Sequence, residues 1–72
     1  MNEAIGNERN IANALGSIGN VYADKKNYSN ALEYYLKELK IFEDLKYKRG
    51  IAISINNIGD MYENQGDYPK AL

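Results

Sequence analysis

Few residues in this chain could do acid–base, nucleophilic or metal chemistry. None of the 72 residues is Cys, His or Trp, so thiol or imidazole catalysis, disulfides and zinc ligation are all ruled out. Asp60 and Glu63 stand three apart, a spacing that sets two acids on one helix face. With no nucleophile, metal ligand or imidazole beside them, they read as a solvated face and not as a general acid–base pair. No catalytic, cofactor-binding or metal-binding residue is assigned, and the chain is not expected to be an enzyme. Ten Asn remain, each offering amide donors and an acceptor. Such amides, aligned on one face, would satisfy an extended peptide backbone without reading its side chains.

Charge and size narrow the partners further. Nine basic and ten acidic residues give a net charge of −1, which favours neither nucleic acid nor an anionic membrane. Apolar runs such as Ile51-Ala52-Ile53 fall far short of the roughly 20 residues of a membrane span. No signal-peptide core follows Met1, which points to a cytoplasmic location. A chain of this size buries only about 60% of its unfolded surface and needs outside support for its core. Without Cys or His, that support must come from oligomerisation or a parent protein.

The elements that position the amides come from an internal repeat. Residues 11–32 align without gaps on 51–72, with eight identities over 22 positions at an offset of 40. Glu3 with Glu43 and Arg9 with Arg49 extend the register, giving ten matches over 32 positions, where average composition gives roughly two. At 100° per residue, Ile11, Leu15, Ile18 and Tyr22 share one side of a helix, with Asn13, Gly16, Ser17, Asn20 and Asp24 opposite. This predicts a first helix over 11–25. Ile51, Ile55, Ile58 and Tyr62 repeat the pattern in a third helix over 48–65. Between them, 29–47 carries Ala31, Leu32, Tyr35, Leu39, Phe42 and Leu45 on one side. Its other side has a charged stripe with the pairs Glu33–Lys37 and Asp44–Lys48. The turns fall at 27–29 and 66–69, where Gly66 suits a helix C-cap and Pro69 a first helical turn.

The period of 40 would suit HEAT or armadillo units, but the residues resemble another family. Leu15-x-x-Ile18-Gly19-x-x-Tyr22 followed by Ala31-x-x-x-Tyr35 resembles the tetratricopeptide pattern W-x-x-L-G-x-x-Y…A-x-x-x-F. Ile55-x-x-Ile58-Gly59-x-x-Tyr62…Ala71 repeats it. The resemblance implies an all-α fold of antiparallel helix–turn–helix repeats in an α-solenoid, here an incomplete array. It implies that Gly19 and Gly59 admit the second helix of each unit closely, against Ala31 and Ala71. Glu38 stands where the pattern has a small residue, and Glu43 where a Pro usually ends the second helix. Losing that Pro lengthens the helix by about six residues, or about 9 Å. Long units of this kind are similar to those of kinesin light chains, Gram-positive peptide-sensing regulators and bacterial sensory arrays. Abundant Asn, Ile and Lys also suit a bacterial source.

In the family, the first helices of successive units line a concave groove that holds peptides. Carried onto this chain, that face comprises Asn13, Gly16, Asn20 and Asp24, then Ile53, Asn56, Asp60 and Asn64, with Ser17 and Asn57 at its edge. Asn20 matches the Asn of the family's carboxylate clamp, yet neither predicted helix offers a cation there, and Asp24 and Asp60 do the opposite. The implied partner is a protein or peptide, neutral or basic in preference to acidic. Ile53 lies about 200° from Ile51, amid the polar face. It is a ligand anchor, a lone exposed apolar residue, or a contact with another chain. The tyrosines fall on core positions, and Lys46, Lys48 and Arg49 suit the negative end of the second helix.

The register divides the chain into three parts. Residues 1–10 align with 41–50, the end of a preceding second helix and its turn. A first unit covers 11–47, and a truncated second unit covers 48–72, ending in a helix stub at 68–72. The third helix would then expose Ile55, Ile58 and Tyr62. Repeats need neighbours, so self-association is expected, by stacking or by domain swapping about residues 49–50. Two functions follow: a peptide- or protein-binding scaffold segment, or a structural self-assembly unit.

Overall fold

Three helices follow one another in the computed structural model, which describes residues 2–64 and their side chains from Gly6 onward. They are α1 (Asn2–Asp24), α2 (Tyr28–Leu45) and α3 (Lys48–Asn64), with α2 packed between the other two. The chain is all-α. Helix α1 departs from expectation at its start. Residues 2–10 were assigned to an earlier helix and a turn, yet they continue α1 without a break. The register shows one difference: the α2–α3 turn carries the Phe42–Tyr47 ring pair, and the counterparts of those residues are Asn2 and Asn7. The expected hinge at 49–50 also moves, since Arg49 and Gly50 already lie within α3.

Both turns are built alike. Lys26 (φ 63°) and Lys46 (φ 57°) are left-handed. At the first turn, the Lys26 N–H donates to the Ala23 carbonyl (2.9 Å) and that of Asn27 to Tyr22 (2.8 Å). At the second, the Lys46 N–H donates to Glu43 (3.0 Å) and that of Tyr47 to Phe42 (2.9 Å). This is the Schellman arrangement, whose apolar clasp is the Phe42–Tyr47 ring pair, 5.4 Å apart. Gly66, counterpart of Lys26, lies outside the described residues, as do Pro69, Ala71 and the 68–72 stub. The second turn also separates Asp44, still on α2, from Lys48, now on α3. Those two do not form the intrahelical pair that their spacing suggested. Glu33 and Lys37 do pair, at 3.4 Å.

Packing turns on small residues. The side of α1 that meets α2 carries buried Ala12, Gly16 and Gly19 and half-buried Ala23. The isoleucine stripe expected there is displaced outward: Ile11 is 53% exposed and Ile18 40%. The reason is the size of what α2 inserts. A Cβ on Gly19 would come within 2.8 Å of the Tyr35 ring, and one on Gly50 within 2.5 Å of the Phe42 ring. One on Gly16 would overlap the Glu38 carboxylate. Ala31 and Tyr35 then join Met61 in one cluster, flanked by Tyr22, Tyr28, Leu32 and Ile58. Gly6 of α1 has nothing within 4 Å among the described residues, so it is the control for these seats. Gly50→Ala should cost about 1–3 kcal/mol through overpacking, whereas Gly6→Ala should gain about 1 kcal/mol from helix propensity. Urea unfolding followed by circular dichroism distinguishes the two, and equal effects would refute the glycine-seat account.

Candidate functional site

Helical geometry puts the predicted amide face on exposed backbone. Asn13, Asn20 and Asp24 on α1 are exposed, as are Ile53, Asn56, Asp60 and Asn64 on α3, while Asn57 is half-buried. Gly16 does not belong with them. It is buried, and the volume its side chain would fill is taken by the Glu38 carboxylate. Ile53 is 51% exposed. Among the described residues no hydrogen bond joins the α1 set directly to the α3 set. Two side chains of α2 link the helices instead.

The first is Tyr35, whose hydroxyl donates to Asn20 Oδ1 at 2.5 Å. Its ring is 2% exposed, lying over Gly19. Burial, then the charges of Glu38, Asp24 and Asp60, push the phenol above its ordinary value, so the proton stays on the donor. The contact holds the Asn20 amide with its oxygen inward, leaving its NH2 group outward. The field of Asp24 from α1 and that of Asp60 from α3 both act on this one hydroxyl.

The second is Glu38, 5% exposed between Gly16 of α1 and Ser54 of α3. Ser54 is wholly buried and its hydroxyl donates to Glu38 Oε1 at 3.0 Å. Burial raises the carboxyl above its ordinary value, and the Ser54 bond only partly opposes this. A signal for this residue was present in the sequence, where Glu replaces a small residue of the repeat and Gly16 replaces the Asn56 of the other unit. Neither substitution makes sense without the other.

Two arginines were also misplaced by sequence reasoning. Because α1 begins at Asn2, Arg9 lies within it, one turn before Asn13 on the same stripe. Arg49, its counterpart 40 residues on, is the second residue of α3, one turn before Ile53. Both are exposed. The expectation that this face lacks a cation is therefore corrected, and the ligand preference drawn from it loses its basis.

A depression of about 290 Å³ on α3 overlaps this face at Asn56 and Asp60 and is lined further by Ile55, Gly59 and Glu63. The register equates these with Leu15, Gly16, Gly19, Asn20 and Ala23. Those residues include the ones on which Tyr35 and Glu38 sit in the first unit. The depression is thus the second-unit equivalent of a helix seat. Among the described residues no group of three Asp or Glu is placed to hold a metal ion, and no helix is long and apolar enough to cross a membrane.

The Tyr35–Gly19 contact and buried Ala31 fall on the positions that the repeat pattern reserves for helix–helix approach. A family model described as tetratricopeptide repeat matches residues 10–72. The chain belongs to the tetratricopeptide-repeat family. No curated protein and no solved structure matches it. Tetratricopeptide repeats are in general non-catalytic scaffolds that bind protein partners. Here the unit differs by its interior acid, and stability should record it. Because the folded carboxyl of Glu38 is raised, its stabilising contribution is complete below the ordinary glutamate range and is lost as pH rises through the folded value. Glu38→Gln keeps an acceptor for Ser54 and should flatten that profile. It should also raise stability at pH 7 by about 1 kcal/mol, or about 4–8 °C in melting temperature. Thermal melts from pH 4 to 8 on both proteins check it.

Proposed function

We propose that this tetratricopeptide segment is a non-catalytic scaffold that binds an extended peptide or an unstructured stretch of a partner protein. The contacts run along Asn13, Asn20 and Asp24 of α1 and Ile53, Asn56, Asn57, Asp60 and Asn64 of α3. The observation that carries this reading is the Tyr35–Asn20 hydrogen bond. An exposed surface Asn has no need of a fixed orientation; one that must donate to a peptide carbonyl gains from it, because less freedom is lost on binding. Ile53 adds an apolar contact between amides. The composition supports a bacterial, cytoplasmic setting. On an array of immobilised decapeptides, Asn20→Ala and Asn56→Ala should each weaken the peptides bound by the unaltered chain. Tyr35→Phe, which keeps the ring on Gly19, should weaken them roughly 2- to 10-fold, the worth of one hydrogen bond. Binding unchanged in all three variants would rule the stripe out.

A second reading rests on a separate observation. Ile11, Ile18 and Val21 are 53%, 40% and 52% exposed, whereas their counterparts in α3 are inside: Met61 is 5% exposed, and Ile51 and Ile58 are half-buried. The same positions thus meet a helix in one unit and solvent in the other, which supports self-association through α1. Sedimentation velocity should then show concentration-dependent association that Ile18→Lys with Val21→Lys abolishes. A monomer at every concentration would leave the chain as a scaffold alone.

A further inference from the structure

The proposed peptide-binding stripe is not uniform in charge. At one end stand Arg9 on α1 and Arg49 on α3, at equivalent repeat positions. At the other stand Asp24 and Asp60, with Asn13, Asn20, Ile53 and Asn56 between. A tyrosine lies near each end. The Arg9 guanidinium lies 5.5 Å over the ring of Tyr47, two residues before Arg49. The Tyr35 hydroxyl feels Asp24 and Asp60 together. Lys25 and Lys26 follow Asp24 in the turn and so sit at the tip, past the end of the stripe.

Among the described residues no ion pair neutralises these four charges. Among the described residues the one ion pair is Glu33–Lys37, on α2. Arg9 is exposed and makes no ion pair among the described residues, and a guanidinium can take a carboxylate by two parallel hydrogen bonds. Like charges on neighbouring parallel helices repel when left unpaired, and an opposite charge on a ligand removes that repulsion. An exposed pair of one sign at each end is thus a specificity device more than a stabilising one.

We infer that the stripe takes an extended peptide carrying opposite charges at its two ends, acidic beside Arg9 and Arg49 and basic beside Asp24 and Asp60. This rests on the peptide-binding reading above and adds to it the charge pattern and the length of the ligand. Arg9 and Asp24 are 15 residues apart, about 22 Å at 1.5 Å per residue. Arg49 and Asp60 are 11 apart, about 16 Å on the same rise. At about 3.3 Å per residue, the matching peptide has about four to six residues between its charges.

Four capped peptides test this by amide-resolved NMR titration of the full chain. A heptapeptide with lysine at one end, glutamate at the other and five alanines between should shift the amides of Asn13, Asn20 and Asn56. It should bind at least about 5-fold more tightly than the same length with lysine at both ends or glutamate at both ends. It should also outbind a tripeptide of lysine, alanine and glutamate, which cannot reach both sites. Arg49→Glu leaves that end with one charge of each sign, so it should remove the preference for the mixed heptapeptide over the doubly basic one, and its circular dichroism should match that of the unaltered chain. Arg9→Glu should do the same, so one variant that fails to fold leaves the other to decide. Shifts along the stripe with no dependence on charge placement would overturn this inference and keep the peptide-binding reading. Shifts from no peptide at all would overturn both.

Discussion

Helix α2 is held by the three large side chains Tyr35, Glu38 and Phe42, each laid on a glycine of a neighbouring helix. Tyr35 meets Gly19, Glu38 meets Gly16 and Phe42 meets Gly50. Their spacing of three and four places them on one stripe of α2, so that stripe alone sets how both partners approach. Glycine at each contact lets a bulky group lie against backbone, where even a methyl would force it away. Phe42 also closes the second turn through Tyr47, so the residue that packs α3 also ends α2. Such economy suits a small chain, in which only Ala12, Ala31, Tyr35, Phe42 and Met61 among the described apolar residues are fully buried.

That same stripe bears on the electrostatics of the amide face. Glu38 occupies a position between three helices where an apolar group would be cheaper to bury. It is tolerated because Gly16 leaves it room and Ser54 offers one hydrogen bond. Tyr35, one turn earlier, carries the helix contact inward and presents its hydroxyl to Asn20 at the surface. The interior of the repeat and its exposed amides are therefore not separate layers. Changing the buried stripe alters how the amide face is oriented.

Much of this was legible from the residues alone. The offset of 40, the three helices and the exposed Asn stripe all follow from spacing, because side-chain direction around a helix is fixed by residue number. The turns were placed within two residues, although the left-handed Lys26 and Lys46 were not foreseen. Lysine gives no hint of that conformation, and only Gly66, the counterpart of Lys26, pointed to it. The start of α1 was missed for a different reason. Register with 41–50 imported a turn whose closing apolar pair, Phe42 and Tyr47, is Asn2 and Asn7 in the first copy.

The sequence by itself determined the repeat, its helical period, its family and the absence of thiol or imidazole chemistry. It also determined which residues share each face, since 100° per residue needs no neighbour to define it. Tertiary structure decided which of those faces is inside. Hydrophobicity selected Ile11 and Ile18, but packing selected Ala12 and Gly16 beside the Gly19 that the repeat pattern had marked, because the free energy of close approach depends on what the facing helix inserts. Packing likewise decided that Glu38 is buried. The unbroken course of α1 decided that Arg9 stands on the amide stripe. A single helix has an apolar side; only a pair of helices has an interface.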